Sequence, residues 1–325
     1  SKSTFIKGLQ CTKSLFLYKH FYHLRDKISA EQQAIFSRGI NVGLLAQELF
    51  PNGIDATHHD RFAYSAAVER TQELINNGTA VIYEAAFQYQ QTLVFLDILV
   101  KKNNEWYAFE VKSSVKISQT YLLDASLQHW VISGSGLRLK DIFIVTINSD
   151  YVLGDKLEVD KLFLTTSVKE EAMRNEGSIH DNVSRFKEVI LSSQTPDIPI
   201  GEHCFTPYRC DFVGNCWKHL PRNSIFDLSG LNKSDALELF NNGYTTPEKA
   251  VNHPNPPDSI KLHLKSLKHN AAVVNKKAIA AFLSAVQYPL SFIDFEAFMP
   301  AVPIYKGTKP YQNIPYMFSL HLKTS

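Results

Sequence analysis

The chain is short of cysteine, of net charge and of long apolar runs. Its four cysteines, Cys11, Cys204, Cys210 and Cys216, stand in 325 residues. The opening Ser1-Lys2-Ser3-Thr4-Phe5 has no apolar stretch behind it of the kind that directs secretion. Together these argue against a disulfide framework. No apolar segment approaches the roughly eighteen residues of a membrane span, which speaks against membrane partners and for a cytoplasmic protein. A net charge of +2 excludes the broad basic surface of an obligate nucleic-acid coat, so any contact with phosphate must be local. No G-x4-G-K-[S/T] loop occurs, so the chain carries no nucleotide-driven motor.

What is present first is apolar mass, 44% of residues, enough for two cores. Local basic stretches follow: Lys13, Lys19, Arg25 and Lys27 near the start, and Lys261, Lys265, Lys268, Lys276 and Lys277 further on. Contact with phosphate and simple solvation of helix faces explain these equally well.

The strongest chemical signal is Asp97, Glu110 and Lys112, arranged D-x12-E-x-K on two adjacent apolar runs. Residues 92–100 are rich in β-branched and aromatic side chains and too short for a buried helix, so they read as a strand. A polar turn at Lys101-Lys102-Asn103-Asn104 leads to Trp106-Tyr107-Ala108-Phe109-Glu110-Val111-Lys112. Antiparallel pairing brings Asp97 beside the Glu110 segment, and alternation sets Glu110 and Lys112 on one face. Two carboxylates with hard oxygen atoms suit Mg2+ or Mn2+, and a lysine beside them can stabilise developing negative charge or help deprotonate a water. A surface hairpin with solvated side chains is the plain alternative. A carboxylate within Leu96-Asp97-Ile98 is costly without a partner, which favours a functional site.

This arrangement resembles the PD-(D/E)XK nuclease superfamily. The resemblance implies a restriction-endonuclease-like α/β/α sandwich. It gives Glu84, in Ile82-Tyr83-Glu84-Ala85, the place of an additional acid, and Gln128 the place of the glutamine of RecB-type members. Two positions depart from the pattern: Ile132 stands where that branch carries tyrosine, and Leu96 where the motif has proline.

Four thiolates drawn from both ends of one domain suit a metal centre. Zinc sites more often pair cysteines as C-x2-C. One distant Cys11 followed by Cys204-x5-Cys210-x5-Cys216 resembles the iron–sulfur branch of the nucleases, the CRISPR-associated Cas-type and AddB-like members. The resemblance implies a structural 4Fe–4S cluster, with Zn2+ as the alternative.

Along the chain, 1–78 reads as helical, including Gly39 to Phe50 with a buried apolar face and an exposed Glu48. Strands span about 80–112, a crossover helix 119–134, strands 141–147 and 161–164, and a long charged helix 168–192. The expected domains are a nuclease-like 1–220 stapled by the cysteines, a helical connector 221–287, and 288–325. In the connector, Leu228 to Leu231 and Leu239 to Tyr244 fit either a helix-hairpin-helix or plain helices. In Leu290 to Glu296, a strand ending in Asp294 and Glu296 resembles the first motif of DnaQ-like exonucleases, with 310–320 as the next strand. That resemblance implies the start of an RNase H-like domain, cut near its beginning, and a second, incomplete metal site. The combination resembles a bacterial family of unassigned function over nearly the whole chain.

The expected activity is metal-dependent hydrolysis of DNA phosphodiester bonds, in repair or in defence against foreign DNA. Glu84, Asp97 and Glu110 hold the metal, Lys112 assists and Gln128 positions substrate or water. The rivals are an RNA-directed nuclease and an inactive nuclease fold that binds nucleic acid or serves as a scaffold. Protein partners are not indicated.

Overall fold

A computed structural model describes residues 1–58, 60 and 63–324. The chain divides into two units, the first built from 1–19, 27–196 and 297–316 and the second from 20–26, 197–296 and 317–325. No helix among the described residues is long and apolar enough to cross a membrane.

The first unit runs α1 (Lys2–Gln10), α2 (Thr12–His20), α3 (Ala30–Ala46), β1 (Ile54–Asp55), α4 (Tyr64–Asn76), β2 (Val81–Tyr89), β3 (Thr92–Lys102), β4 (Glu105–Val111), α5 (Gln119–Gly134), β5 (Leu139–Ile147), α6 (Val159–Leu162), β6 (Phe163–Ser167), α7 (Lys169–Arg174) and α8 (Glu176–Leu191). The six strands form one mixed sheet in sequence order, parallel at β1–β2 and β4–β5 and antiparallel elsewhere. The fold is therefore mixed α/β.

Two tight turns fix the central strands. Gln90-Gln91 and Asn103-Asn104 all have positive φ, between 44° and 63°, the pairing of left-handed residues whose twist suits a two-residue hairpin. The second turn sets Lys102 opposite Glu105, so the strand runs through both lysines expected in the turn. Ser118 caps α5 by accepting from the Tyr121 amide, and the helix crosses back to the parallel strand β5.

Apolar side chains bury both faces of the sheet. On one side Leu96, Ala108, Ile142 and Ile144 join Leu127 and Val131 of α5 and Ile179, Val183 and Phe186 of α8. On the other, Ile98, Phe109, Val145 and Ile147 join Val42 and Ala46 of α3 and Leu162 of α6. Regular alternation would keep residues two apart on one face. Instead, Tyr83 and Ile98 belong to the second side while Ala85 and Leu96 belong to the first. The reversal falls at Glu84 and Asp97.

Helix α1 docks against α8 through Phe5, which meets Phe186 edge to face at 5.5 Å. Gly8 allows the approach, since a Cβ there would stand 2.7 Å from the Phe186 ring. Residues 297–316 complete the unit from far along the sequence. Ala301 is buried in the second cluster, the Gly307 amide donates to the Leu153 carbonyl at 2.7 Å and the Leu153 amide to the Thr308 carbonyl at 3.0 Å.

Three local expectations need correction. Lys161 and Leu162 end the short helix α6, and the strand begins at Phe163. The long helix breaks at Asn175 into α7 and α8. In α3 only Val42 and Ala46 are buried, whereas Ile40 and Leu44 are 65% and 58% exposed. Glu48 is exposed, in a 3-10 turn after that helix.

The second unit contains α9 (Val213–Cys216), α10 (Lys233–Asn241), α11 (Pro247–Ala250), α12 (Asp258–His269) and α13 (Lys276–Ser284). Ile225, Leu228, Leu239, Ala250, Ile260 and Leu264 form its small core. Gly230 and Gly243, both at positive φ, bracket α10. Strands β7 (Leu290–Phe298) and β8 (Ile314–Lys323) pair as a two-stranded ribbon, on which Phe292, Ile293, Phe295, Phe318 and Leu320 are exposed.

Leu96 is fully buried beside the reversal, so Leu96→Ala should cost about 2–5 kcal/mol of stability. Urea denaturation followed by circular dichroism measures this; a loss below about 1 kcal/mol would show that the site collapses to fill the void.

Candidate active site

Strands β3 and β4 pair only from Lys102–Glu105 to Ile98–Phe109. Beyond that point they part: β3 continues against β2 as far as Thr92, while β4 continues against β5 to Val111. Asp97 and Gln128 fill the fork. Asp97 Oδ2 accepts the Val111 amide at 2.6 Å. From α5, Gln128 Nε2 donates to the Phe95 carbonyl at 3.1 Å and to Glu110 Oε2 at 2.6 Å, so one amide group spans both diverging strands. Its Oε1 is buried without a partner among the described residues.

The same register places three acids in one transverse row. Glu84 lies between the pairs Tyr83–Ile98 and Ala85–Leu96, opposite Asp97, and Asp97 follows Ile98–Phe109, opposite Glu110. The charges of both Glu110 and Glu84 act on Asp97, so the three carboxyl groups are electrostatic neighbours. Glu84 holds φ at 54°, a conformation costing on the order of 1–3 kcal/mol in a residue with a side chain. Its carboxylate and Asp97 Oδ1 make no hydrogen bond among the described residues, so both remain available to a ligand.

Two lysines meet Glu110, which is 2% exposed. Lys112 Nζ donates to Glu110 Oε1 at 2.8 Å and Asp124 Oδ2 at 2.7 Å, with its nitrogen 5.0 Å from the centre of the Tyr121 ring. Lys2 Nζ donates to Oε1 at 2.7 Å and Oε2 at 2.9 Å. An open cleft of about 360 Å3, lined by Glu84, Asp97, Glu110 and Lys112 together with Gly39, Ile40, Gly43 and Leu44 of α3, gives access to the row.

The acids respond differently to this crowding. Burial, reinforced by the charge of Glu110, pushes Asp97 up to about 8 against the pull of Lys2. Glu84 is raised by burial, which outweighs Lys2. Burial would raise Glu110 as well, but Lys112 and Lys2 overcome it and hold the group at about 2. Burial would lower Lys112, and Glu110 and Asp124 outweigh it, so Lys112 remains an ammonium and a hydrogen-bond donor. Four carboxyl groups thus share two cations. The imbalance favours a proton on Asp97 or a further cation.

The donor set fits Mg2+ or Mn2+: three carboxyl groups in one row, uncommitted oxygen atoms on two of them, and an ammonium already drawn to the third. Sequence reasoning placed Glu84, Asp97, Glu110, Lys112 and Gln128, which the structure brings together. It missed Lys2, Tyr121 and Asp124. Asp124 was open to detection, being one turn from Gln128 on the same face of a largely buried helix. Nothing local marks Lys2. Ile132 and Leu96, the two departures from the motif, are core residues.

The remaining expected site residues lie apart from the row. Cys11 follows α1 in the first unit. In the second unit the Cys210 amide donates to the Cys204 carbonyl at 2.8 Å, Cys204 is buried, and Cys216 ends α9. Cys204, Cys210 and Cys216 thus share one short stretch, 204–216, in which a main-chain hydrogen bond joins the first two. Asp294 and Glu296 are exposed on β7. So are Lys261, Lys265, Lys268, Lys276 and Lys277 on α12 and α13.

Residues 291–325 match a domain of unknown function, DUF2779. This segment is the β7–β8 ribbon and its loop, and the match does not extend to the acid row. No curated protein matches the chain.

Because its pKa is raised on folding, ionised Asp97 opposes stability. The penalty is absent below the unfolded value near 4, grows as pH rises, and is complete above about 8. In EDTA, Asp97→Asn should therefore melt a few degrees above wild type at pH 8, with the gap closing near pH 4. Calorimetric scans at the two pH values measure it; an equal or lower Tm at pH 8 contradicts the charge account.

Proposed function

We propose that the first unit is a Mg2+- or Mn2+-dependent nuclease that hydrolyses phosphodiester bonds of DNA, with the α/β/α organisation of the PD-(D/E)XK superfamily. The observation that carries this reading is the row Glu84–Asp97–Glu110 in the fork of the sheet, with Lys112 beside it and a cleft above it. When bound, the metal would supply Lewis-acid charge at the phosphate and lower the pKa of a water. Glu84, Asp97 and Glu110 would hold it. Lys112, fixed between Glu110 and Asp124, contributes positive charge where a phosphate gains negative charge, acting as a donor and not as a base. Gln128 fixes the Glu110 carboxylate through Oε2 and ties it to β3. This is a positioning role.

Incubation with labelled single- and double-stranded DNA and RNA, in Mn2+, Mg2+ or EDTA, tests the assignment. Cleavage of DNA should require the metal and fall about a hundredfold or more in Asp97→Ala and in Lys112→Ala. Equal cleavage by wild type and both variants would end the proposal, and RNA cleavage alone would transfer it to RNA.

The cysteines form a second part of the proposal, resting on the sequence count of four: Cys204, Cys210 and Cys216, with Cys11, as ligands of a structural 4Fe–4S cluster. Protein purified without oxygen should be brown, absorb broadly near about 400 nm, and lose colour and stability in Cys210→Ala. Stoichiometric zinc without iron in elemental analysis would replace the cluster by zinc.

A further inference from the structure

Glu110 has no free acceptor position. Oε1 takes hydrogen bonds from Lys2 and Lys112, and Oε2 from Lys2 and Gln128, which fills the lone-pair positions of both oxygens. For this carboxylate to bind a metal, one donor must leave. Gln128 is also held by the Phe95 carbonyl. Lys112 is also held by Asp124 and lies over Tyr121. Lys2 bonds only Glu110 among the described residues, and its side chain is 23% exposed against 15% for Lys112.

The position that Lys2 occupies is that of a cation. Its ammonium spans both oxygens of Glu110 and is also attracted by Asp97 and Glu84, the complete acid row. Its backbone is anchored, since Phe5 and Gly8 dock α1 against Phe186. The ammonium can therefore leave by rotation of a flexible four-carbon stem, with no movement of the helix.

We infer that Lys2 is a displaceable counter-ion, holding the cation position of the row until a divalent metal enters and thereby setting the metal affinity of the site. This rests on the metal-dependent reading above. Lys2 lowers affinity by direct competition for Glu110 and by repulsion between like charges. It also keeps the metal-free row from carrying its full negative charge.

Mn2+ binding to metal-free protein, followed by the electron paramagnetic resonance signal of the free ion, tests the inference without reference to activity. Lys2→Met, which keeps length and removes charge, should lower the Kd for Mn2+ by about tenfold or more, whereas Lys2→Arg should stay within about threefold of wild type. Equal or weaker binding by a folded Lys2→Met overturns the role of Lys2 and leaves the metal site standing. Absence of Mn2+ binding in all three proteins overturns the metal site and the inference together.

A second measurement needs no variant. Acetylation of wild type by an N-hydroxysuccinimide ester, resolved by tandem mass spectrometry, should rise severalfold at Lys2 on adding Mn2+ while Lys112 stays protected. Unchanged reactivity of Lys2 in protein that binds Mn2+ would equally overturn the inference.

Discussion

The separation of β3 from β4 beyond the Ile98–Phe109 pair is the constraint on which the site depends. A sheet that stayed closed would bury Asp97 and Glu110 within a continuous ladder, with no space for a ligand. Parting the strands leaves backbone groups to be satisfied, and side chains satisfy them: Asp97 accepts the Val111 amide and Gln128 donates to the Phe95 carbonyl. Asp97 of the acid row and Gln128 beside it thus also mend the hydrogen bonding lost where the strands part. The reversal of faces at Glu84 and Asp97 belongs to the same event, because a strand that twists away from its neighbour changes which residues meet each core.

Charge is the second constraint. Glu110 is kept ionised by two lysines, whereas Asp97, one strand away, favours its proton. The two groups differ chiefly in partners: both lysines bond Glu110, and neither bonds Asp97. Glu84 completes the row at the cost of an unfavourable backbone angle. Such strain, together with raised carboxyl pKa values and uncommitted oxygen atoms, is stability given up where a ligand would restore it.

Much of this site was legible in the sequence because its parts are local. The Asp97–Glu110 spacing equals one hairpin, Asn103-Asn104 marks its turn, and alternation fixes which side chains share a face. Gln128 followed from a resemblance and not from spacing. Lys2 was not legible, since 108 positions separate it from Glu110 and the helix that delivers it is docked by Gly8 and Phe186, a contact no pattern announces. The reversal at Glu84 was hidden too, because a glutamate in left-handed conformation is held there by its surroundings and not by its own preference. Short elements misread elsewhere, such as Lys161-Leu162 at the end of α6, have too few residues for a period to be measured. The face of α3 was misjudged for a different reason: apolar periodicity identifies a helix but does not say that every apolar residue finds a partner.

The turn that follows Lys112 is fastened from two directions. The Lys112 amide donates to Val145 of the adjacent strand, and the Tyr311 hydroxyl donates to the Ser113 carbonyl, with the Arg38 guanidinium over the Tyr311 ring. Tyr311 belongs to the segment that returns to the first unit after a hundred residues of the second. The acid row itself lies within one stretch of chain, but the turn beside it is held from beyond another folded unit. A break in the chain between the early part of this protein and the part around Tyr311 would leave the acids in place and take away the hydrogen bond that holds the turn after Lys112.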